Sequence, residues 1–262
     1  MGEIEMPADM NLLTITLSQM KREYESAVQQ GREAYTGLIR SKKLIEMLHK
    51  YVEEELRRRF RYPLQIYRDK PVYGYPKTKN QDFLIQPPQD GQQSYSTGPI
   101  AIINVRSQLS SIEKNYDTLF ERLFAEALNL HNRFPYVVLG YVYLLPKIGY
   151  DEEAAKNKIV KFSERYDIEK YILSFLSIAN RRDPNDVPWK YERISLLIVD
   201  FEKDTPLVMD NMEMFLKEGL VSESFAKLYS FESLSIREFF DEIYRITMER
   251  YYLILRGGTG RS

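Results

Sequence analysis

The sequence predicts an α/β fold: a mixed central sheet flanked by helices, with further helices added at both ends. Three observations carry that expectation. Ile100–Val105, Val137–Leu145 and Ile194–Phe201 are short, nearly unbroken apolar runs, as in strands covered on both faces. Between the first two lies a segment whose apolar residues recur every three or four positions, which suits a crossover helix joining neighbouring strands. Similar stripes fill the N-terminal region and the C-terminal third.

The elements follow in order. Met10, Leu13, Leu17, Met20, Tyr24 and Val28 put one apolar stripe on a helix over residues 9–30. Leu38, Ile45, Leu48, Val52 and Leu56 mark a second helix. It ends in the run Arg57, Arg58, Arg59, Phe60, Arg61, just before Pro63, which disfavours helix for the residue ahead of it. Residues 9–61 therefore read as a helical hairpin. Residues 62–99 are dense in proline, tyrosine and Gln/Ser, so short strands and loops should fill them. Gln81–Gln86 is the best strand there, and residues 86–99 read as a turn or longer loop.

After the strand at Ile100–Val105, the residues Ile112, Tyr116, Leu119, Phe120, Leu123, Ala127 and Leu130 share an arc of about 100°, giving an amphipathic helix over 110–133. The strand Val137–Leu145 stops at Pro146. Helices are expected at 151–165 and 168–180, then a polar loop, then the strand Ile194–Phe201. Residues 209–255 read as helical and 256–262 as a frayed tail. The organisation is one domain with an α/β core over 62–208.

Composition narrows the chemistry. With 44% hydrophobic and 29% charged residues, most of the chain must be folded. No cysteine is present, which removes disulfides, thiolate nucleophiles and cysteine-ligated zinc and suits a reducing compartment. No stretch approaches the roughly 20 apolar residues of a bilayer span, and no basic segment precedes the first short apolar run. The expectation is a cytoplasmic, unprocessed protein. A net charge of −1 means that any nucleic-acid surface must be built locally. The phosphate-loop, dinucleotide-binding, zinc-protease and serine-hydrolase motifs are absent. His49 and His131 have no partner at ligand spacing and read as structural or surface residues.

What remains is a set of polar residues on strands. Asp82 opens a short strand, and the next strand emerges as Asn104, Val105, Arg106, Ser107, Gln108, with the amphipathic helix directly after it. Period-two alternation puts Asn104, Arg106 and Gln108 on one face. An aspartate beside polar groups of a neighbouring strand is how a sheet assembles oxygen ligands for a hard cation such as Mg²⁺.

The segment IAIINVRSQLSSIEKNYDTLFERLFAEALNLH, preceded by KTKNQD, resembles the core of type II restriction endonucleases of the PD-(D/E)XK nuclease superfamily. There a strand carries an Asp, the next carries (Asp/Glu)-x-Lys, and a helix follows. The likeness covers roughly residues 45–205. It implies a PD-(D/E)XK-like sheet and Mg²⁺-dependent hydrolysis of DNA phosphodiesters, with Asp82 as metal ligand. Asn104 and Arg106 would occupy the acid and lysine positions. Both are departures, and an always-charged Arg106 cannot act as a base; it would contact the phosphate. The resemblance extends to variants whose second acid has moved onto the helix, where Glu113, Glu121 and Glu126 are candidates. The helical wheel prefers Glu113 and Glu126, whereas spacing from the strand prefers Glu121. Gln108 could instead stand in the lysine position, with the register shifted by two, and Lys114 could supply a cation from the helix.

Recognition of double-stranded DNA would need other residues, because phosphate contacts position a protein and base contacts specify sequence. The polar turn holding Asn180, Arg181, Arg182, Asp183 and Asn185 is the expected base reader, arginine to guanine being the commonest specific contact. Lys42, Lys43 and the Arg57–Arg61 run are the expected phosphate clamps, the latter also being an ordinary charged helix end. The clustered Tyr51, Tyr62, Tyr67, Tyr73 and Tyr75 suit a half-wet interface, with DNA or with another subunit, and the terminal helices suit a dimer surface. A homodimer, or pairing with a related subunit, would match a near-palindromic site. The rival reading is a catalytically silent nuclease-like module that binds DNA or another subunit, and Asn104 and Arg106 are what motivate it.

Overall fold

A computed structural model describes residues 6–87 and 98–257. The expected loop over 86–99 and the expected tail fall largely outside these residues.

The chain opens with α1 (Met10–Gln30), capped by Asp9, whose side chain accepts from the Leu12 N–H at 2.9 Å. The helix ends at Gly31, whose φ of 110° and ψ of −174° lie in a region open essentially to glycine alone. A second break at Ser41 separates α2 (Arg32–Arg40) from α3 (Lys43–Arg59). The expected hairpin is thus three helices, because Gly31 turns the chain where the apolar periodicity alone gives no sign of it. A Cβ at Gly31 would also lie 2.8 Å from Cε of Lys158. Gly31→Ala is expected to cost about 1–3 kcal/mol, read as a lowered urea midpoint; an unchanged midpoint would show that the turn relaxes freely.

The sheet is built from β1 (Gln65–Tyr73), β2 (Thr78–Gln86), β3 (Ala101–Ser107), β4 (Val138–Pro146), β7 (Arg193–Asp200) and β8 (Leu207–Met209), in that spatial order. β1, β2 and β3 are antiparallel, β3, β4 and β7 run parallel, and β8 returns antiparallel. α4 (Ile112–His131) is the crossover between β3 and β4, matching the helix expected over 110–133. A two-residue β5 (Gly149–Tyr150), a five-residue α5 (Glu152–Lys156) and β6 (Phe162–Glu164) replace the expected helix over 151–165. α6 (Ile168–Ile178) completes the return to β7. The C-terminal region holds β8, α7 (Met212–Lys217), α8 (Glu223–Leu228), a 3-10 turn at Glu232–Leu234 and the long α9 (Ile236–Gly257), so it is more broken than the continuous helical reading.

Alternation along the central strands explains the layering. Ile103, Val105, Val142, Leu144 and Leu197 face one cluster with residues of α1, α3 and α9, while Ile102, Tyr141, Tyr143 and Leu196 face a second with residues of α4 and α6. Both faces are covered, which is why these strands read as apolar runs. Gly140 lets α9 approach the sheet: a Cβ there would meet Ile243 and Phe239 at 3.0 Å. No helix among the described residues is long and apolar enough to cross a membrane.

Candidate functional site

The sheet ladder breaks at Asp82. On one side, Asp69 stands level with Asp82 but is unpaired, its φ at 49°. On the other, pairing of β2 with β3 runs only from Ile85↔Ala101 to Phe83↔Ile103. Beyond Phe83, side chains replace the backbone ladder. The Asp82 N–H donates to Oδ1 of Asn104 at 2.9 Å, the Val105 N–H donates to Oδ2 of Asp82 at 2.7 Å, and Nδ2 of Asn104 donates to Oε1 of Gln81 at 2.6 Å. Buried backbone groups need partners, so this exchange lets the strands part without orphaned donors.

Two helices close on the break from opposite faces. From α4 comes Glu126, with Nζ of Lys79 at 3.3 Å from its carboxylate. Burial raises its carboxyl above the ordinary range; Lys79 offsets this and the charge of Asp82 adds to it. From α3 comes His49, with Nε2 at 3.6 Å from Oδ2 of Asp82 and Nδ1 at 3.5 Å from Glu46. Arg68 of β1 ties to Glu46 at 2.7 Å and lies over the Phe83 ring, and its hydrogen bond holds the Glu46 carboxyl below the usual range. His49 thus has acidic neighbours supplied by its own helix and by the sheet.

Tyr141, level with Asn104 on β4, sits among these groups. Burial raises its hydroxyl well above the ordinary value; the charges of Glu126 and Asp82 add to this and that of Arg106 opposes it. Arg106 is half-buried, and its Nε is buried without a hydrogen-bond partner. A cavity of about 410 Å³ opens beside it, lined by Ile39, Ser41, Ile45, Arg106, Ser107 and Ser110 among others.

The structure therefore brings Asp82, Asn104 and Glu126 together, with Arg106 near them. Gln108 is spent elsewhere: Oε1 accepts from the Tyr143 hydroxyl at 3.0 Å and Nε2 donates to the carbonyls of Ser110 and Ser111. It holds the turn into α4, which removes the register-shifted alternative. Glu113, Lys114 and Glu121 are exposed on α4, so of the three glutamates only Glu126 is withdrawn from solvent and feels the charge of Asp82. Of the two that the wheel prefers, Glu126 is half-buried and Glu113 is exposed, as is Glu121, which the spacing prefers.

The expected DNA contacts divide in the same way. Arg181 is 2% exposed, and Nη1 lies 2.9 Å from Glu192 and 3.0 Å from the Pro135 carbonyl, so its guanidinium is directed inward rather than to a base. Asp183 accepts from Asn185 at 2.8 Å, and Asp186 accepts from the N–H groups of Arg182 and Asp183. The turn thus closes on itself, leaving Arg182 exposed, while Asn180, at a φ of 62°, meets Arg193 at 3.3 Å. In the basic run, Arg59 is buried between Glu55 at 2.5 Å and Asp241 of α9 at 2.6 Å, and Arg57 and Arg58 pair with Glu53 and Glu55. Arg59 thus packs α3 against α9, and Arg57 and Arg58 are held in pairs within α3. Lys42 and Lys43 are exposed, Lys43 paired with Glu23.

No family model matches this chain, and neither does any curated protein or solved structure. What stands is an α/β fold with a mixed six-stranded sheet flanked by helices. Sequence reasoning missed Lys79, Gln81 and Tyr141. The first two alternate with Asn80 and Asp82 at the start of β2, so strand periodicity was the available signal; Tyr141 lay inside an apolar run and gave none.

The donors suit Mg²⁺ in kind but are few. Asp82 and Glu126 are hard oxygen ligands, whereas no group of three or more His, Cys, Asp or Glu able to hold a metal occurs among the described residues. Mg²⁺ is commonly held by one or two carboxylates with water and substrate phosphates, so the donor set is judged against that smaller requirement.

Proposed function

We propose that this chain is a sequence-specific double-stranded DNA endonuclease of the type II restriction class, dependent on Mg²⁺ and acting as a dimer. The observation that supports it is the interrupted sheet at Asp82, where a strand-borne aspartate and a glutamate from the following helix share one electrostatic environment. In this reading Asp82 and Glu126 hold the ion. When bound, Mg²⁺ would neutralise charge on the scissile phosphate and lower the pKa of a water. Arg106 contributes a fixed positive charge toward the phosphate and takes no proton. Asn104 positions Asp82 through its main-chain N–H. Lys42 and Lys114, both exposed, are the phosphate contacts. A two-fold dimer matches a palindromic site and is tested by sedimentation equilibrium.

A specific observation favours a second reading, the catalytically silent DNA-binding or subunit-interaction module. Asn104 and Gln81 close on one another at 2.6 Å where an acid would otherwise stand. The two readings separate on divalent-ion binding. Because ion and proton compete for Glu126, Mg²⁺ affinity is expected to rise with pH, by up to about tenfold per unit, until its carboxyl is fully ionised. Calorimetric titration at several pH values measures this, and Glu126→Gln should flatten the slope. Affinity independent of pH, or no Mg²⁺ uptake with DNA present, favours the silent module.

A further inference from the structure

At the start of β7, away from Asp82, lies a recess of about 470 Å³, within the roughly 300–1,000 Å³ typical of small-molecule sites. Arg193 shares its parity on β7 with Leu197, which packs toward α9. The recess is formed by the turn at 180–182, the start of β7 and α9.

Five arginines line it: Arg181, Arg182, Arg193, Arg245 and Arg250. Three glutamates stand against them, an excess of two positive charges in the lining. Glu192 is wholly buried and joins Arg181 at 2.9 Å to Arg250 at 2.7 Å. Glu242 lies 2.8 Å from Nε of Arg193, and Glu249 pairs with Arg245 across one helical turn. Glu232 and Glu238, outside the lining, act on Arg193 from further away.

Positive charge is nevertheless left over. The Nε atoms of Arg181, Arg193 and Arg250 have no hydrogen-bond partner and are closed off from solvent, so these side chains contribute charge beneath the recess rather than donors a ligand would touch. Arg182 is exposed at the rim, and its guanidinium has no partner among the described residues. Guanidinium groups are matched best by planar or tetrahedral oxyanions.

We propose that this recess binds a phosphate group, carried by a small phosphomonoester, at a site separate from the one around Asp82. The buried arginines form its floor and Arg182 and Arg245 its rim. A concave site floored by buried groups favours a small ligand over a duplex backbone, which would have to contact the rim alone.

The test is calorimetric titration of the full chain, in chloride buffer, with inorganic phosphate, with a nucleoside 5′-monophosphate and with the bare nucleoside. Both phosphate-bearing probes should bind and the nucleoside should not. The double variant Arg182→Ala, Arg245→Ala, which removes two exposed side chains and leaves the floor intact, should bind them at least about tenfold more weakly with an unchanged melting temperature. Absence of phosphate binding at millimolar concentration would overturn the proposal. So would unchanged phosphate binding in a variant that loses affinity for a blunt duplex, since Arg182 and Arg245 would then be DNA-backbone contacts. Neither readout involves Mg²⁺ or cleavage, so the outcome is independent of the nuclease reading.

Discussion

Replacing Glu192 by alanine is expected to destabilise the protein by about 3–5 kcal/mol, the cost of removing one partner from a buried ion-pair network. Glu192 is fully buried immediately before β7. Its carboxylate meets Arg181 at 2.9 Å, Arg250 at 2.7 Å, Nε2 of His131 at 3.3 Å and the Leu139 N–H at 2.7 Å. Alanine would leave two buried guanidinium groups without their counter-charge and an N–H without its acceptor. Burial opposes ionisation of Glu192, but His131, Arg250 and the Leu139 N–H outweigh it and hold the carboxyl below the usual range. The sign follows from linkage. A lowered native value contributes stability above the ordinary carboxylate range, and that stability is lost as pH falls through the native value. The gap between wild type and Glu192→Ala in urea unfolding should therefore be full at neutral pH and shrink in acid. A loss under about 1 kcal/mol at neutral pH would mean that water or repacking satisfies the arginines.

The second large effect concerns Asp82. Asp82→Asn keeps an oxygen to accept from the Val105 N–H but removes the charge, so the fold is expected to survive. If Asp82 holds the catalytic ion, Mg²⁺-dependent DNA cleavage should fall at least about a thousandfold while DNA binding in Ca²⁺ is retained. On the same condition Glu126→Gln should behave alike, because two carboxylates holding one ion would act as a unit and their effects would not add. Full cleavage by Asp82→Asn would remove Asp82 from the site, and joint loss of binding and melting temperature would assign it a structural role.

The parts of the fold legible in the sequence were those with a strong periodic signal. β3, β4 and β7 are buried along nearly their whole length, so they appear as apolar runs, and α4 shows its stripe because it packs on one face only. β1 gave no such signal. Its burial is slight apart from Val72, and it carries Pro71, which suits an edge strand with little apolar pattern. The breaks at Gly31 and Ser41 interrupt the chain without interrupting the apolar stripe. The segment after Asp151 was misjudged because a five-residue helix and a three-residue strand are too short for either period to be read.

The candidate site was legible in the same uneven way. Asp82 and Asn104 stood out as polar residues entering apolar strands, and they do meet. Glu126 is one of three candidates on the helix and one of the two the wheel prefers, and it is the one of the three that is half-buried. The inward role of Arg181 was hidden, because its partner Glu192 lies beyond a turn whose composition suggests solvent. Arg59 was hidden likewise, since its partner Asp241 lies 182 residues away in sequence. Ion pairs between distant elements leave no local pattern.

The most direct measurement is incubation of the purified protein with unmethylated phage DNA, with and without Mg²⁺, resolved on a gel. Discrete fragments that require Mg²⁺ and are absent with Asp82→Asn are the expected result. DNA left intact with Mg²⁺ and with Mn²⁺ at excess protein, while still bound in a salt-dependent manner, would contradict the nuclease reading and leave the silent DNA-binding module in its place.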